Sequence, residues 1–348
     1  MKKQPFFFFF VFIVLIGLTI INNLTNEKVT SLIVPDNAGV SVLETVDDSL
    51  VCVFKGGQVA SWNWSGLPQQ QADFSVQTDR VALLDAGRLA AIPEVGKKNL
   101  SVYKLPSGEK TKDLSVGWDD QDVWPRISFD KNRVVLIRKN PVDSTGKILY
   151  EFLTVDIEKE FLGMPVALSI QAEGEDFIDT AVGGNGILYA VGSKEKKGRI
   201  VALDLENGTK VWDTNHDSTL EFCSVIVSPD NQYLLAGNRD GILYKLNTQT
   251  GEIVKKIVLL EEGETRPITN DYSVLNLAFS PDGQYFVATI NPPVYIIETA
   301  SDAVVHKFTA TNKLVSKIAF SPENGRLATS DIRQSYPVKI WDTTGWLK

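Results

Sequence analysis

Histidine, cysteine and methionine are each present only twice in 348 residues. So few imidazoles and thiols leave little room for a His-based metal centre, a His-driven acid–base pair or a thiol nucleophile. No GxSxG, HExxH, Walker loop, GxGxxG or CxxC sequence occurs either. The chain is therefore read as non-catalytic, with no cofactor and no metal expected. Excess positive charge is missing too: 35 Lys and Arg stand against 43 Asp and Glu, a net charge of −8. That balance excludes nucleic acid as the main partner, because phosphate binding needs a basic patch. Cys52, in LVCVF, and Cys223, in FCSVIV, fall in apolar strand-like runs, where a free thiol behaves as a small hydrophobe.

Long hydrophobic runs are absent except at the start. Lys2 and Lys3 precede an apolar stretch from Phe6 to Ile21, closed by Asn22 and Asn23. It is somewhat short for the roughly 20 residues that span a bilayer and somewhat long for the core of a cleaved signal. No small-x-small cleavage site follows it. The expectation is an uncleaved signal-anchor helix over residues 1–23 and a short linker over 24–27. The remainder then lies on the non-cytoplasmic side, because flanking lysines stay in the cytoplasm. A cleaved signal, giving a secreted protein, is the alternative.

Repetition fills the rest. An apolar strand running into Ser-Pro-acid recurs as VSPD at Val227, FSPD at Phe279 and FSPE at Phe320. An apolar strand followed by a polar turn starts at Val59, Leu100, Leu153, Ile200, Leu243, Val294 and Val338, at intervals of about 40–53 residues. Short apolar runs separated by Pro, Asp, Asn and Gly read as β-meanders. Repeated at this period, they predict an all-β fold: a seven-bladed β-propeller of four-stranded antiparallel blades over residues 28–348. The last repeat lacks a fourth strand, since TTGWLK leaves little room for one. Lys28–Val34 has no place in the first blade and is expected to supply that strand, closing the ring.

These residues resemble the WD40 family and its YVTN-like relatives, best over FSPDGQYFVAT and RLATSDIRQSYPVKIWD, with Trp341-Asp342 at the signature position. ALDLENGTKVWDT in the fourth repeat resembles quinoprotein-type propellers instead. The resemblance implies a polar His, Asp, Ser/Thr and Trp set within each blade. Thr311 stands in the His slot of the last blade, and Asp240 fits the Asp slot of the fifth.

In such a ring the d–a and b–c loops share one rim. The d–a loops are acidic and the b–c loops basic, through residues such as Arg138, Lys139, Arg199 and Arg239, so the two sets are expected largely to neutralise one another. The strongest candidate partner-binding patch is VGWDDQDVWPR, where Trp118 and Trp124 flank Asp119, Asp120 and Asp122, joined on this rim by Glu261, Glu262 and Glu264. Exposed Trp beside charge has the composition of an interface hot spot. The competing reading packs one Trp under its own loop. Trp62 and Trp64 alternate along one strand and are expected in the core. His216 is expected after the last strand of the fourth blade. The function expected is a membrane-anchored interaction scaffold binding a protein or peptide. The alternatives are a quinoprotein-like or lactonase-like propeller enzyme and an assembly or quality-control factor for envelope proteins.

Overall fold

The computed structural model describes residues 29–348 except 33, 35–38, 56, 74–79, 85–87, 95–96, 106, 119–122, 128–132, 172–174, 261–272, 291–292, 312–313, 324, 332–337 and 348. The expected anchor at 1–23 and linker at 24–27 lie outside the described residues. Among those residues, no helix is long and apolar enough to cross a membrane.

Seven antiparallel sheets follow one another along the chain. Blade 1 comprises Val40–Val46, Ser49–Phe54, Gln58–Asn63 and Pro68–Asp73. Blade 2 comprises Ala82–Leu84, Leu89–Glu94, Asn99–Lys104 and Lys110–Ser115. Blade 3 has Val123–Ile127, Arg133–Lys139 and Lys147–Asp156, with its outer strand in two pieces, Phe161–Leu162 and Val166–Gln171. Blade 4 comprises Glu175–Val182, Ile187–Lys194, Lys197–Asp204 and Thr209–Leu220. Blade 5 comprises Phe222–Val227, Tyr233–Asn238, Ile242–Asn247 and Ile253–Val258. Blade 6 comprises Val274–Phe279, Tyr285–Ile290, Pro293–Glu298 and Val304–Thr309. Blade 7 takes Val315–Phe320, Arg326–Asp331 and Val338–Asp342 from the end of the chain and Val29–Leu32 from its beginning. Val29 pairs with Trp341 and Leu32 with Val338. This closes the ring with antiparallel hydrogen bonds.

The core is not central but divided among the seams between blades. Each of seven apolar clusters joins two neighbouring blades. Along Ser49–Phe54, Leu50, Cys52 and Phe54 point into the seam with blade 7, while Val51 and Val53 point into the seam with blade 2. A strand covered on both faces therefore reads as continuously apolar, as in Tyr285–Ile290, whose six residues are all buried. The outer strands have one side in water and lose that pattern, as Lys110–Ser115 does. Trp62 and Trp64 are buried in the seam between blades 7 and 1. Cys52 and Cys223 are free and buried.

The Ser-Pro-acid repeats are capped turns. Ser228 Oγ donates to Asp230 at 2.5 Å and accepts from Tyr233 N at 3.1 Å. Ser280 repeats this with Asp282 (2.6 Å) and Tyr285 N (2.9 Å), and Ser321 Oγ accepts from Arg326 N at 2.9 Å. The serine satisfies a backbone donor that the sharp turn would otherwise leave unpaired.

In blade 7, Trp341 Nε1 donates to Thr329 Oγ1 at 2.9 Å and Thr311 Oγ1 donates to Asp331. Two expectations need correcting. Asp240 is exposed, and the buried turn-capping residue of blade 5 is Asn238. Its Oδ1 accepts from Asp240 N (3.0 Å) and Ile242 N (2.9 Å). His216 does not follow the outer strand of blade 4 but lies within it, opposite Gly198. That strand continues its ladder past Asp213, which pairs with Arg199 on the neighbouring strand.

Candidate partner-binding rim

The d–a and b–c loops converge on one rim, and blade 3 supplies its most developed surface. Arg138 and Lys139 end its second strand. Consecutive strand residues point to opposite faces, so Arg138 turns towards blade 2 and Lys139 towards blade 4. The Arg138 guanidinium lies over the Trp118 ring, 4.6 Å from its centroid. It also donates from Nε to Glu151 Oε2 at 2.9 Å, an oxygen that accepts from Asn140 Nδ2 at 2.7 Å. Burial alone would push Glu151 up, but hydrogen bonds from Asn140 and Arg138 outweigh it and hold the carboxyl below the usual range. Trp118 is partly buried against the cluster between blades 2 and 3. One face of its ring is closed by core, and the stacked guanidinium covers part of the rest.

On the other side, Asp176 Oδ1 collects three donors: Tyr150 Oη at 2.7 Å, Phe177 N at 2.9 Å and Lys139 Nζ at 3.0 Å. These bonds outweigh burial and hold Asp176 low. Burial first, and then the bond to Asp176, push Tyr150 up to about 12. Both groups therefore stay in their neutral-pH forms, phenol and carboxylate, across the physiological range. Beside this network a cleft of about 330 Å³ opens between blades 3 and 4. Its apolar lining is Ile137, Phe152, Phe177, Ile178 and Ala190, and its polar lining is Lys139, Tyr150, Asp179 and Thr180. Tyr150 and Phe177 meet edge to face at 5.5 Å. The Arg199 guanidinium lies 5.6 Å from the Phe177 ring and grips Asp213 with two bonds of 3.0 Å.

This arrangement has the chemistry of a binding pocket. Aromatic and aliphatic walls remove an apolar side chain from water, and of the charged lining residues Lys139 is paired with Asp176 while the Asp179 carboxylate accepts from Val225 N at 3.0 Å. Among the described residues no three His, Cys, Asp or Glu side chains stand close enough together to hold a metal ion.

Asp119, Asp120, Asp122, Glu261, Glu262 and Glu264 lie outside the described residues. The backbone of Trp124 pairs with Ile137, which places that residue on the inner strand of blade 3 beside the cleft's own Ile137. Tyr150, Phe152 and Phe177 are the cleft residues that sequence reading missed. They lie in strands, where aromatics read as core. The signal that could have exposed them is the opposite charge of Lys139 and Asp176 at adjoining strand ends of one rim.

The profile of the family described as "Outer membrane protein assembly factor BamB" matches residues 196–280. The match runs from the third strand of blade 4 through blade 5 to the first strand of blade 6. It falls on the stretch holding ALDLENGTKVWDT, the repeat that resembles quinoprotein-type propellers, and covers about a quarter of the seven-bladed chain. It gives no support to WD40 or YVTN membership in particular. No curated protein matches the chain.

Proposed function

We propose that this protein is a non-catalytic, membrane-anchored scaffold of the cell envelope that holds a protein partner on the rim formed by its d–a and b–c loops. The observation that carries this reading is the blade 3–4 cleft, where aromatic and aliphatic walls stand beside the paired Lys139 and Asp176 and the Asp179 carboxylate. Such a site takes an apolar side chain of a partner against its walls, with polar groups at hand for the partner's backbone. The matched family profile, whose description names outer membrane protein assembly, supports the setting. The run from Phe6 to Ile21 supports the anchor, with the propeller on the non-cytoplasmic side.

The test is a photo-crosslinking residue placed at Ile178, at the cleft mouth, in living cells. One defined crosslinked protein supports a dedicated scaffold, and many different clients support an assembly or quality-control factor. Absence of any crosslinked protein, with the chain folded and abundant, overturns both and returns the enzyme reading to the front.

A further inference from the structure

Val29 begins the closing strand opposite Trp341, the second-last residue of Val338–Asp342. The chain therefore enters the ring at the rim of a–b and c–d turns, opposite the rim with the cleft. Residues 22–28 lie between Val29 and the apolar run ending at Ile21. Fully extended, they reach about 25 Å. An anchor at Phe6–Ile21 thus keeps the a–b/c–d rim next to the bilayer.

That same rim carries exposed apolar side chains, two of which, Phe161 and Met164, edge a cleft of about 380 Å³ between blades 3 and 4. Met164 is 85% exposed, Phe161 64% and Leu67 60%; among the described residues, Val254 and Val258, on the outer wall of blade 5, and Val142, on the opposite rim, are comparably exposed large apolar chains. The display is rigidly held. Phe161 pairs with Asp156 and Leu162 with Val155, Gly163 N donates to Thr154 O at 2.9 Å, and the outer strand resumes at Val166. Leu67 projects from the c–d turn of blade 1, whose Gly66 packs on Thr30 of the closing strand.

We propose that the a–b/c–d rim of blades 1 to 3 rests on the membrane, with Met164, Phe161 and Leu67 entering the headgroup layer. The inference rests on the anchor reading above. Charges around the tip are mixed, Lys159 beside the exposed Glu158, Glu160 and Glu206, so the surface suits zwitterionic rather than anionic headgroups. Seated there, with the anchor at the same rim, these side chains point the cleft on the opposite rim away from the bilayer.

The test uses the full chain in phosphatidylcholine vesicles, with an environment-sensitive fluorophore on Met164→Cys, Leu67→Cys or, on the opposite rim, Val142→Cys. The native cysteines are buried and leave the introduced thiol to the label. The expected result is a blue-shifted emission at positions 164 and 67, quenched severalfold more by doxyl-labelled phosphatidylcholine than at 142. Chain that floats with the vesicles but shows equal quenching at all three positions keeps its anchor and overturns the rim contact. A blue shift at 164 without lipid quenching means that protein covers the rim, which also overturns it. Failure of the chain to float removes the anchor and this inference together.

Discussion

Trp212 of blade 4 donates its indole Nε1 to the carbonyl of Thr248 in blade 5, at 2.9 Å. The same docking of an outer strand onto the next blade's c–d turn recurs with different chemistry. Lys112 reaches Glu160 and Lys255 reaches Asp302, while His306 of blade 6 stacks at 4.1 Å on Trp346, just after the third strand of blade 7. Beneath Trp212 sits Gly251, at φ +72°, where a Cβ would stand 2.9 Å from the indole ring. Gly251→Ala should therefore lower stability by about 1–3 kcal/mol through backbone strain and crowding. Combining it with Trp212→Ala should cost less than the sum of the two, because removing the ring removes the clash but not the strain. Strict additivity in thermal melts would show that the two residues do not press on each other.

Closure of the ring offers a second check. Leu32 is 1% exposed in the seam between blades 7 and 1, and a Cβ on Gly66 would stand 2.6 Å from Thr30 Cγ2. Leu32→Ala should cost about 2–5 kcal/mol, and deleting 28–34 should leave a poorly soluble protein with two open sheet edges. A melting temperature unchanged in the deletion variant would mean that the strand does not close the ring.

The acid limb of stability should follow the paired carboxylates. Burial alone would raise Asp213, but bonds from Arg199 and Lys210 hold it low, and Asp176 is held low in the same way. The stabilisation is complete above the unfolded aspartate value of about 3.9 and is lost as pH falls through the lower folded values. Melting temperature should thus drop below about pH 4. Asp213→Asn should start lower at neutral pH, with Arg199 left unneutralised, and decline less steeply in acid. Parallel curves for the two proteins would remove Asp213 from the acid limb.

Partner capture should depend on the cleft mouth. Ile178 is exposed, so Ile178→Asp should leave the melting temperature nearly unchanged while weakening partner binding tenfold or more, about 1.4 kcal/mol. Undiminished binding by the folded variant, measured with the crosslinked partner, would move the interface elsewhere.

How much of this was legible in the sequence differed by level. Strands covered on both faces announce themselves as apolar runs, and turns capped by Ser228 or Ser280 announce themselves as Ser-Pro-acid, so the blades and their number could be read. Lys28–Val34 was legible by exclusion, having no neighbour in its own repeat. The cleft was not legible, because Tyr150, Phe152 and Phe177 look like any aromatic strand residue until two blades are set side by side. The short Phe161–Leu162 piece was equally hidden, because the outer strand of this blade reads only as PVALSI. Asp240 illustrates a third limit. Register decides which of two neighbouring polar residues is buried, and a shift of two positions gives that place to Asn238.

Asn238 supports the last prediction. It is fully buried, its Oδ1 holds two backbone N–H groups of the turn, and its Nδ2 has no hydrogen-bond partner. The corresponding position in blade 7 is Asp331, whose carboxylate accepts from Thr311. Asn238→Ala should cost about 1–3 kcal/mol, the penalty for leaving buried donors unsatisfied. Asn238→Asp keeps the acceptor for both N–H groups and removes the orphaned amide, so it should retain more stability than Asn238→Ala. Equal melting temperatures for the two variants would mean that the side-chain acceptor contributes nothing to the turn.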